Sequence, residues 1–412
     1  MCDHHRPSAP TEASFEIRPR AISLDFGRDH DRDHADWTRR DILTGATAAA
    51  AGAFVLGSGA QARTVRASSH TPLLQALGRT ETDRVLVIIQ LGGGNDGLNM
   101  VVPYTSDAGP NGVMGGLLFF FFDWEMSVIY SAGYPNHSRS HFRSTDIWAS
   151  ASDANEQGTS GWTGRYVDRA FPGHVNQPLP YPVAIRIGGA SSLLVRGAGG
   201  ALGMSFSNPN QFDRLAQTGQ FYDESNVPNT LAGGELRFVR EIYNSGLRYR
   251  DAVFTASQAG SNDGEAGYPG GGLASRIYAV SIGGFDTHSN QLNRQPQLLR
   301  QIAESVRAFY ADLAAEGRRV LTMTFSEFGR TISQNGAAGT DHAEASPMLL
   351  FGDGVGGGLY GDGPGPALDA MPTSGAPNAL PMSIDFRDVN ASELGDWFGL
   401  EESATQGVLG GG

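Results

Sequence analysis

Three acidic side chains each follow an apolar run of strand length. Asp96 comes after Val85–Leu91, Asp286 after Ile277–Ile282, and Glu327 after Val320–Phe325. The carboxyl ends of parallel strands meet at one edge of a sheet, so we expect these acids to lie close together. Carboxylates at close range repel one another unless a cation lies between them. The pattern therefore predicts a metal site at this edge.

Two histidines accompany the acids. His288 lies two residues after Asp286, and His342 directly follows Asp341. The predicted metal ligands are Asp96, Asp286, His288, Glu327, Asp341 and His342. Mixed carboxylate and imidazole ligands favour zinc, manganese or iron over magnesium or calcium, and we expect zinc or manganese. The competing interpretation is that each acid caps a turn or pairs with an arginine.

Hydroxyl and guanidinium groups that could act on a substrate occur near these acids. Ser138 and Ser140 are the candidate nucleophiles, with a metal-activated water as the alternative. Equally, both serines could simply cap the helix that follows them. Arg330 is predicted to bind an oxyanion such as phosphate or sulfate, ahead of Arg139 and Arg143, because it follows a strand end.

The apolar runs predict the framework that positions these residues. Val85–Leu91 has no polar alternation, which is typical of a central parallel strand covered on both faces. Further strands are predicted at Val183–Ile187 and Met348–Phe351. Helices are predicted at Trp162–Ala170, Asn208–Phe221, Leu236–Tyr249 and Gln297–Glu316. Strands alternating with helices indicate an α/β fold with a largely parallel sheet.

A dinucleotide site is the alternative interpretation of the first glycine cluster. Gly92, Gly94 and Gly97 have the spacing of the dinucleotide fingerprint. That fingerprint needs a helix directly after the glycines, whereas Leu98–Val102 is predicted to be extended. We therefore expect the glycines to be hinges.

Composition excludes several classes of function. The 412 residues carry a net charge of −13, which disfavours a nucleic-acid partner. The sequence has no lysine, so a P-loop lysine and a Schiff-base lysine are both excluded. Its one cysteine, Cys2, lies in a segment that we expect to be removed, so thiol chemistry is not expected.

Residues 1–62 are predicted to be a leader with a signal peptide. Arg39 and Arg40 precede an uncharged stretch, Thr44–Gly59, that is too short to span a bilayer. Paired arginines indicate the twin-arginine (Tat) export machinery as a partner and a periplasmic or extracellular location, with no membrane span in the mature chain. Residues 63–412 are predicted to be one domain with a cap around 200–272. The apolar run Phe119–Phe122 is too short to span a bilayer and belongs either to the core or to an interface.

Five blocks of sequence together resemble a known family. They read LGGGNDGLNMVVPY, GYPNHSRSHFRSTDIW, IGGFDTHSNQ, FSEFGRT and GTDH, in that order. As a set they resemble a large family of Tat-exported bacterial proteins of unknown function within the alkaline phosphatase and sulfatase superfamily. The resemblance implies a three-layer α/β/α sandwich, with a metal site at the strand ends that acts on phosphate or sulfate esters. It also implies that Asp96 is the metal ligand on the first strand.

The sequence thus predicts an exported metal-dependent hydrolase whose substrate is a small anionic ester. The alternative is a non-catalytic binding or scaffold protein that keeps the fold.

Overall fold

The computed structural model describes residues 84–101, 126–174, 178–188, 193–198, 200–201, 203–206, 219–259, 275–313, 320–352, 355–361 and 378–410. The predicted leader and the run Phe119–Phe122 lie outside these residues, as does most of the predicted helix Asn208–Phe221. Its last three residues, 219–221, are not helical. The division into a domain and a cap stays a prediction.

Helices and strands alternate along much of the chain. The strands are β1 (Val85–Leu91), β2 (Met126–Gly133), β3 (Ala184–Ile187), β4 (Arg196–Gly197), β5 (Gly200–Ala201), β6 (Gly203–Phe206), β7 (Ile277–Ile282), β8 (Val320–Phe325), β9 (Ser346–Phe351), β10 (Gly358–Tyr360) and β11 (Ile384–Asp385). The helices are α1 (Gly97–Met100), α2 (His141–Ser150), α3 (Trp162–Ala170), α4 (Leu231–Ala259), α5 (Gln291–Leu313), α6 (Phe386–Ser392) and α7 (Glu402–Leu409), with a 3-10 turn at Leu193–Val195 and a π-helical turn at Glu393–Trp397.

A nine-stranded sheet is the central layer. Its strand order is β10-β2-β9-β8-β1-β7-β3-β6, and β11 also pairs with β2. β9 runs antiparallel to both of its neighbours, whereas the other pairings are parallel. β1 lies between β7 and β8, and all seven of its residues are buried. The prediction of a central parallel strand at Val85–Leu91 is confirmed.

Helices cover both faces of the sheet. One face packs against α2, α3, α6 and α7, where Trp148 stacks on Phe325 and Phe386 at ring-centroid distances of 5.2 and 4.1 Å. The other face packs against α5 through Leu299, Ile302 and Val306, and against α4 through buried side chains. These three layers confirm the predicted α/β/α sandwich with its largely parallel sheet.

The structure corrects several element boundaries. Leu98–Val102 was predicted to be extended, but Gly97–Met100 forms one helical turn because the Asp96 carboxylate accepts hydrogen bonds from the backbone amides of Leu98 and Asn99. α5 begins six residues before the predicted Gln297, since Pro296 is accommodated inside the helix. β2 was not predicted, because its serines and glycine weaken an otherwise apolar pattern.

None of the helices within the described ranges is both long enough and apolar enough to cross a bilayer.

Glu393 is a buried acid that makes stability depend on pH. It is 2% exposed, and neither carboxyl oxygen has a hydrogen-bond partner among the described residues. Burial raises its pKa from 4.5 to about 8. A raised folded-state pKa gives stability that is full below pH 4.5 and is lost as the pH rises towards 8, by at most about 1.4 kcal/mol per pH unit.

We therefore expect Glu393→Gln to flatten this dependence. Urea unfolding of the wild type and the variant between pH 5 and 9 measures the slope of the free energy of unfolding. An unchanged slope in the variant would show that another group titrates.

Candidate metal centre

The candidate site forms where β7 and β8 end and β9 begins. Asp286 and His288 follow β7, and Glu327 follows β8. Because β9 is antiparallel, the loop before it reaches the same edge and brings His342 there. His141, the first residue of α2, also lies at this edge. Four separate segments therefore supply the site.

Three imidazoles surround the carboxylate of Asp286. Its Oδ1 lies 3.0 Å from His342 Nε2 and 3.1 Å from His288 Nε2, and these two nitrogens are 3.0 Å apart. His141 Nε2 lies 3.6 Å from Asp286 Oδ2. Ligand atoms of His141, Asp286 and His342 all lie within 4.8 Å of one another, which is close enough for one metal ion. Histidine and aspartate side chains are a suitable ligand set for zinc.

The other ring nitrogen of each histidine bonds to an oxygen. Nδ1 lies 2.8 Å from Glu327 Oε1 in His141, 2.8 Å from Asp341 Oδ1 in His288, and 3.0 Å from the Arg139 carbonyl in His342. Ionised carboxylates and carbonyls only accept, so Nδ1 of each ring donates. In the neutral imidazole, Nε2 is then a lone pair directed at Asp286.

Such an arrangement requires a positive charge between the rings. Lone pairs of His288 and His342 at 3.0 Å, both facing a carboxylate oxygen, repel unless a metal ion or protons lie between them. The Phe328 ring packs against His141 and His342, with centroids 4.9 and 4.5 Å away, and limits water on that side.

Electrostatics keep the central carboxylate charged. Burial works to raise the pKa of Asp286, but the hydrogen bond that protonated His342 donates and the positive charge of Arg330 outweigh it, so this pKa is lowered. Hydrogen bonds from Asn335 and His288 lower the pKa of Asp341. The hydrogen bond to Glu327 raises the pKa of His141. The site thus presents ionised acids at neutral pH.

Arg330 lies behind Asp286. Its side chain is fully buried, and Nη2 donates to Asp286 Oδ1 at 3.1 Å. Its Nε and Nη1 atoms have no hydrogen-bond partner among the described residues. Burial lowers the pKa of Arg330, and the charge of Asp286 partly offsets that effect. The observed contact is therefore with the acid, and a role in binding an oxyanion stays a prediction.

The six predicted ligands fall into three groups. Asp286, His288 and His342 converge. Glu327 and Asp341 lie behind histidines, and Glu327 Oε1 also accepts from the Gly93 amide at 2.9 Å. Asp96 is not brought to the cluster: besides capping α1, its Oδ2 accepts from Asn99 Nδ2 at 2.7 Å and from the Gln291 side chain.

The sequence reasoning did not include His141 among the candidate ligands. Nothing in the local spacing links it to Asp286, 145 positions later, because α2 reaches the site only through the packing of helix on sheet. Its place at the start of the helix predicted after Ser140 was the one available signal.

The candidate serines differ in their surroundings. Ser138 Oγ accepts from the Ser140 amide at 3.2 Å. Ser140 is exposed, adjoins His141, and is the N-cap residue of α2 without a side-chain capping bond. Arg143 Nη2 donates to the carbonyls of residues 153, 154 and 156, so these loop carbonyls hold the Arg143 guanidinium. Of the two serines, Ser140 is therefore the one that adjoins a residue of the cluster in sequence.

One known family matches part of the chain. A family described as a protein of unknown function (DUF1501) matches residues 274–409, about a third of the chain. The matched part includes Asp286, His288, Glu327 and His342 but not His141. No curated protein sequence matches this chain.

Two of the similar solved structures carry alkaline phosphatase names, and a third is named as a periplasmic domain. A protein in the alkaline phosphatase superfamily from Vibrio parahaemolyticus is 9% identical, covering 78% of this chain and 70% of that one, with a TM-score of 0.33. Alkaline phosphatase from the Antarctic bacterium TAB5 is 11% identical, with coverage of 67% and 94% and a TM-score of 0.31. The C-terminal periplasmic domain of EcEptC from Escherichia coli, a complex with zinc, is 11% identical, with coverage of 65% and 73% and a TM-score of 0.29.

Proposed function

We propose that this chain is an exported metal-dependent hydrolase of phosphate or sulfate esters. The observation that carries the proposal is the set of three histidines whose Nδ1 atoms bond to oxygen and whose Nε2 atoms face Asp286. Carboxylate or carbonyl partners behind a histidine ligand fix its ring and raise its basicity, as in known metal sites. Zinc or manganese are the ions we propose.

The proposal assigns metal binding and nucleophilic attack to different residues. Asp286, His288, His342 and His141 would hold the metal ion, which supplies a Lewis acid for the ester oxygen and lowers the pKa of a bound water. Ser140, exposed beside His141, would be the nucleophile where a serine rather than water attacks. Export by the Tat machinery and a periplasmic or extracellular location complete the proposal and rest on the leader sequence.

Metal analysis and turnover of purified mature protein test the proposal. We expect stoichiometric zinc or manganese, and hydrolysis of 4-nitrophenyl phosphate or 4-nitrophenyl sulfate that a chelator abolishes and added metal restores. Protein that carries no metal after incubation with either ion would contradict the proposal. Protonation of the histidines, rather than a metal ion, would then relieve the repulsion between their lone pairs and the Asp286 carboxylate.

Ser140→Ala separates the two nucleophiles. If the hydroxyl attacks, kcat falls at least about 100-fold; if a metal-activated water attacks, kcat stays within a fewfold of wild type. Ser138→Ala is the matched control, because Ser138 Oγ already accepts a hydrogen bond from the Ser140 amide. Metal binding without turnover of any ester would favour the non-catalytic binding or scaffold protein.

A further inference from the structure

Two apolar side chains are far more exposed than the other large ones. Among the described residues, Phe142 is 86% exposed and Leu292 is 85% exposed, whereas the next, Phe221, is 63% exposed. Both lie in the first turn of a helix that begins at the sheet edge carrying the candidate metal centre. We name this pair the apolar rim.

The apolar rim is joined to the site through its own helices. Phe142 directly follows His141, which approaches Asp286 from Oδ2. Leu292 follows Gln291, whose amide donates to the Ala338 carbonyl in the loop that carries His342. On that side His288 approaches Asp286 from Oδ1. One apolar side chain thus adjoins a residue of the cluster, and the other adjoins a residue that is bonded to the loop carrying His342.

Position distinguishes this pair from ordinary surface residues. Single exposed apolar side chains are common and carry no meaning by themselves. Here the two most exposed ones both lie in the first turn of a helix that begins at the edge carrying the candidate metal centre, so a ligand bound at that edge could cover them. An ester with a small polar alcohol would leave them exposed, whereas an aryl or alkyl group would bury part of them.

We infer that the substrates are anionic esters of apolar alcohols, with the anionic group at the metal centre and the aryl or alkyl group on the apolar rim. This inference rests on the proposed function. Phe142 and Leu292 determine specificity in this arrangement and take no part in the chemical step. Their substitution therefore changes the affinity for the apolar part of the ligand.

Non-hydrolysable ligand pairs test the inference without turnover. The probes are methylphosphonate against hexylphosphonate, and methanesulfonate against hexanesulfonate, titrated calorimetrically into zinc- or manganese-loaded protein. One of the two pairs is expected to bind. In that pair, the hexyl compound should bind at least about tenfold more tightly than the methyl compound, because its methylene groups cover apolar surface. Phe142→Ser and Leu292→Ser should each reduce that preference at least about threefold without changing the affinity for the methyl compound.

Val239→Ser is the matched control. Val239 is 60% exposed on α4, which supplies no residue to the cluster, so this variant should keep the full preference. Equal binding of methyl and hexyl compounds, or a preference that survives both rim substitutions, would overturn the inference and leave the proposed function intact. Failure of both methyl compounds to bind the metal-loaded protein would overturn the proposed function itself.

A membrane surface is the other apolar environment that the rim could meet. Co-sedimentation with phosphatidylcholine vesicles that disappears in Phe142→Ser, combined with no preference for hexyl compounds, would assign the rim to lipid and overturn the inference.

Discussion

Asp286→Asn is expected to lower the affinity for zinc or manganese at least about 100-fold, more than the 10- to 100-fold loss typical of an outer hydrogen-bond partner. Among the described residues, Asp286 is the carboxylate that faces all three Nε2 atoms, so its charge would balance that of a bound ion. Asparagine keeps the shape of the side chain and removes the charge. Competition with a chromophoric chelator measures the affinity.

Two further substitutions make that prediction specific. Asp341→Asn should weaken metal binding by roughly 10- to 100-fold, because Asp341 contacts His288 rather than the central cluster. Asp96→Asn should leave the affinity within about threefold of wild type, since asparagine is also a good N-cap residue. An equal loss in Asp96→Asn and Asp286→Asn would show that the acid after β1 is a ligand after all.

The sequence was sufficient for the framework of the site. The largely apolar runs before Asp286 and Glu327 predicted parallel strands, and the structure has β7 and β8 there on either side of β1. His342 reaches this edge only because β9 runs antiparallel, but the strand ends of a parallel sheet share an edge by topology, so the placement of Asp286 with Glu327 follows from the order of elements. That part of the site depends on periodicity, which sequence reports directly.

The roles within the site could not be predicted in the same way. Whether an acid contacts a metal or orients a histidine depends on a few ångströms of side-chain placement. Glu327 and Asp341 were predicted as ligands, and both lie behind imidazole rings. Asp96 follows a strand as the other acids do, but its carboxylate accepts hydrogen bonds from the backbone amides of Leu98 and Asn99 and caps a helix instead. His141 reaches the site from a helix, where no strand-end rule applies.

Gly93→Ala is expected to cost about 3 to 5 kcal/mol of unfolding free energy and to weaken metal binding together with it. Gly93 has φ +125°, a conformation that alanine rarely adopts, and an added Cβ would lie 2.1 Å from the Asp286 amide nitrogen and 2.7 Å from the Phe285 carbonyl carbon. Those neighbours are backbone atoms and can move only by shifting Asp286. The Gly93 amide also donates to Glu327 Oε1, which orients His141.

Gly92→Ala is the matched control one residue away. Its added Cβ would meet its nearest atom, the Ile282 carbonyl oxygen, at an ordinary 3.7 Å, so we expect a change below about 1 kcal/mol and normal metal affinity. Urea unfolding of the metal-free proteins separates the backbone cost from the loss of bound metal, because ligand binding adds its own stabilisation. If metal-free Gly93→Ala were as stable as metal-free Gly92→Ala, the backbone of the first strand end would not be in contact with Asp286. The ends of β1 and β7 pack closely against each other. The position of Asp286, and with it the candidate metal centre, therefore depends on Gly93, a residue that carries no side chain.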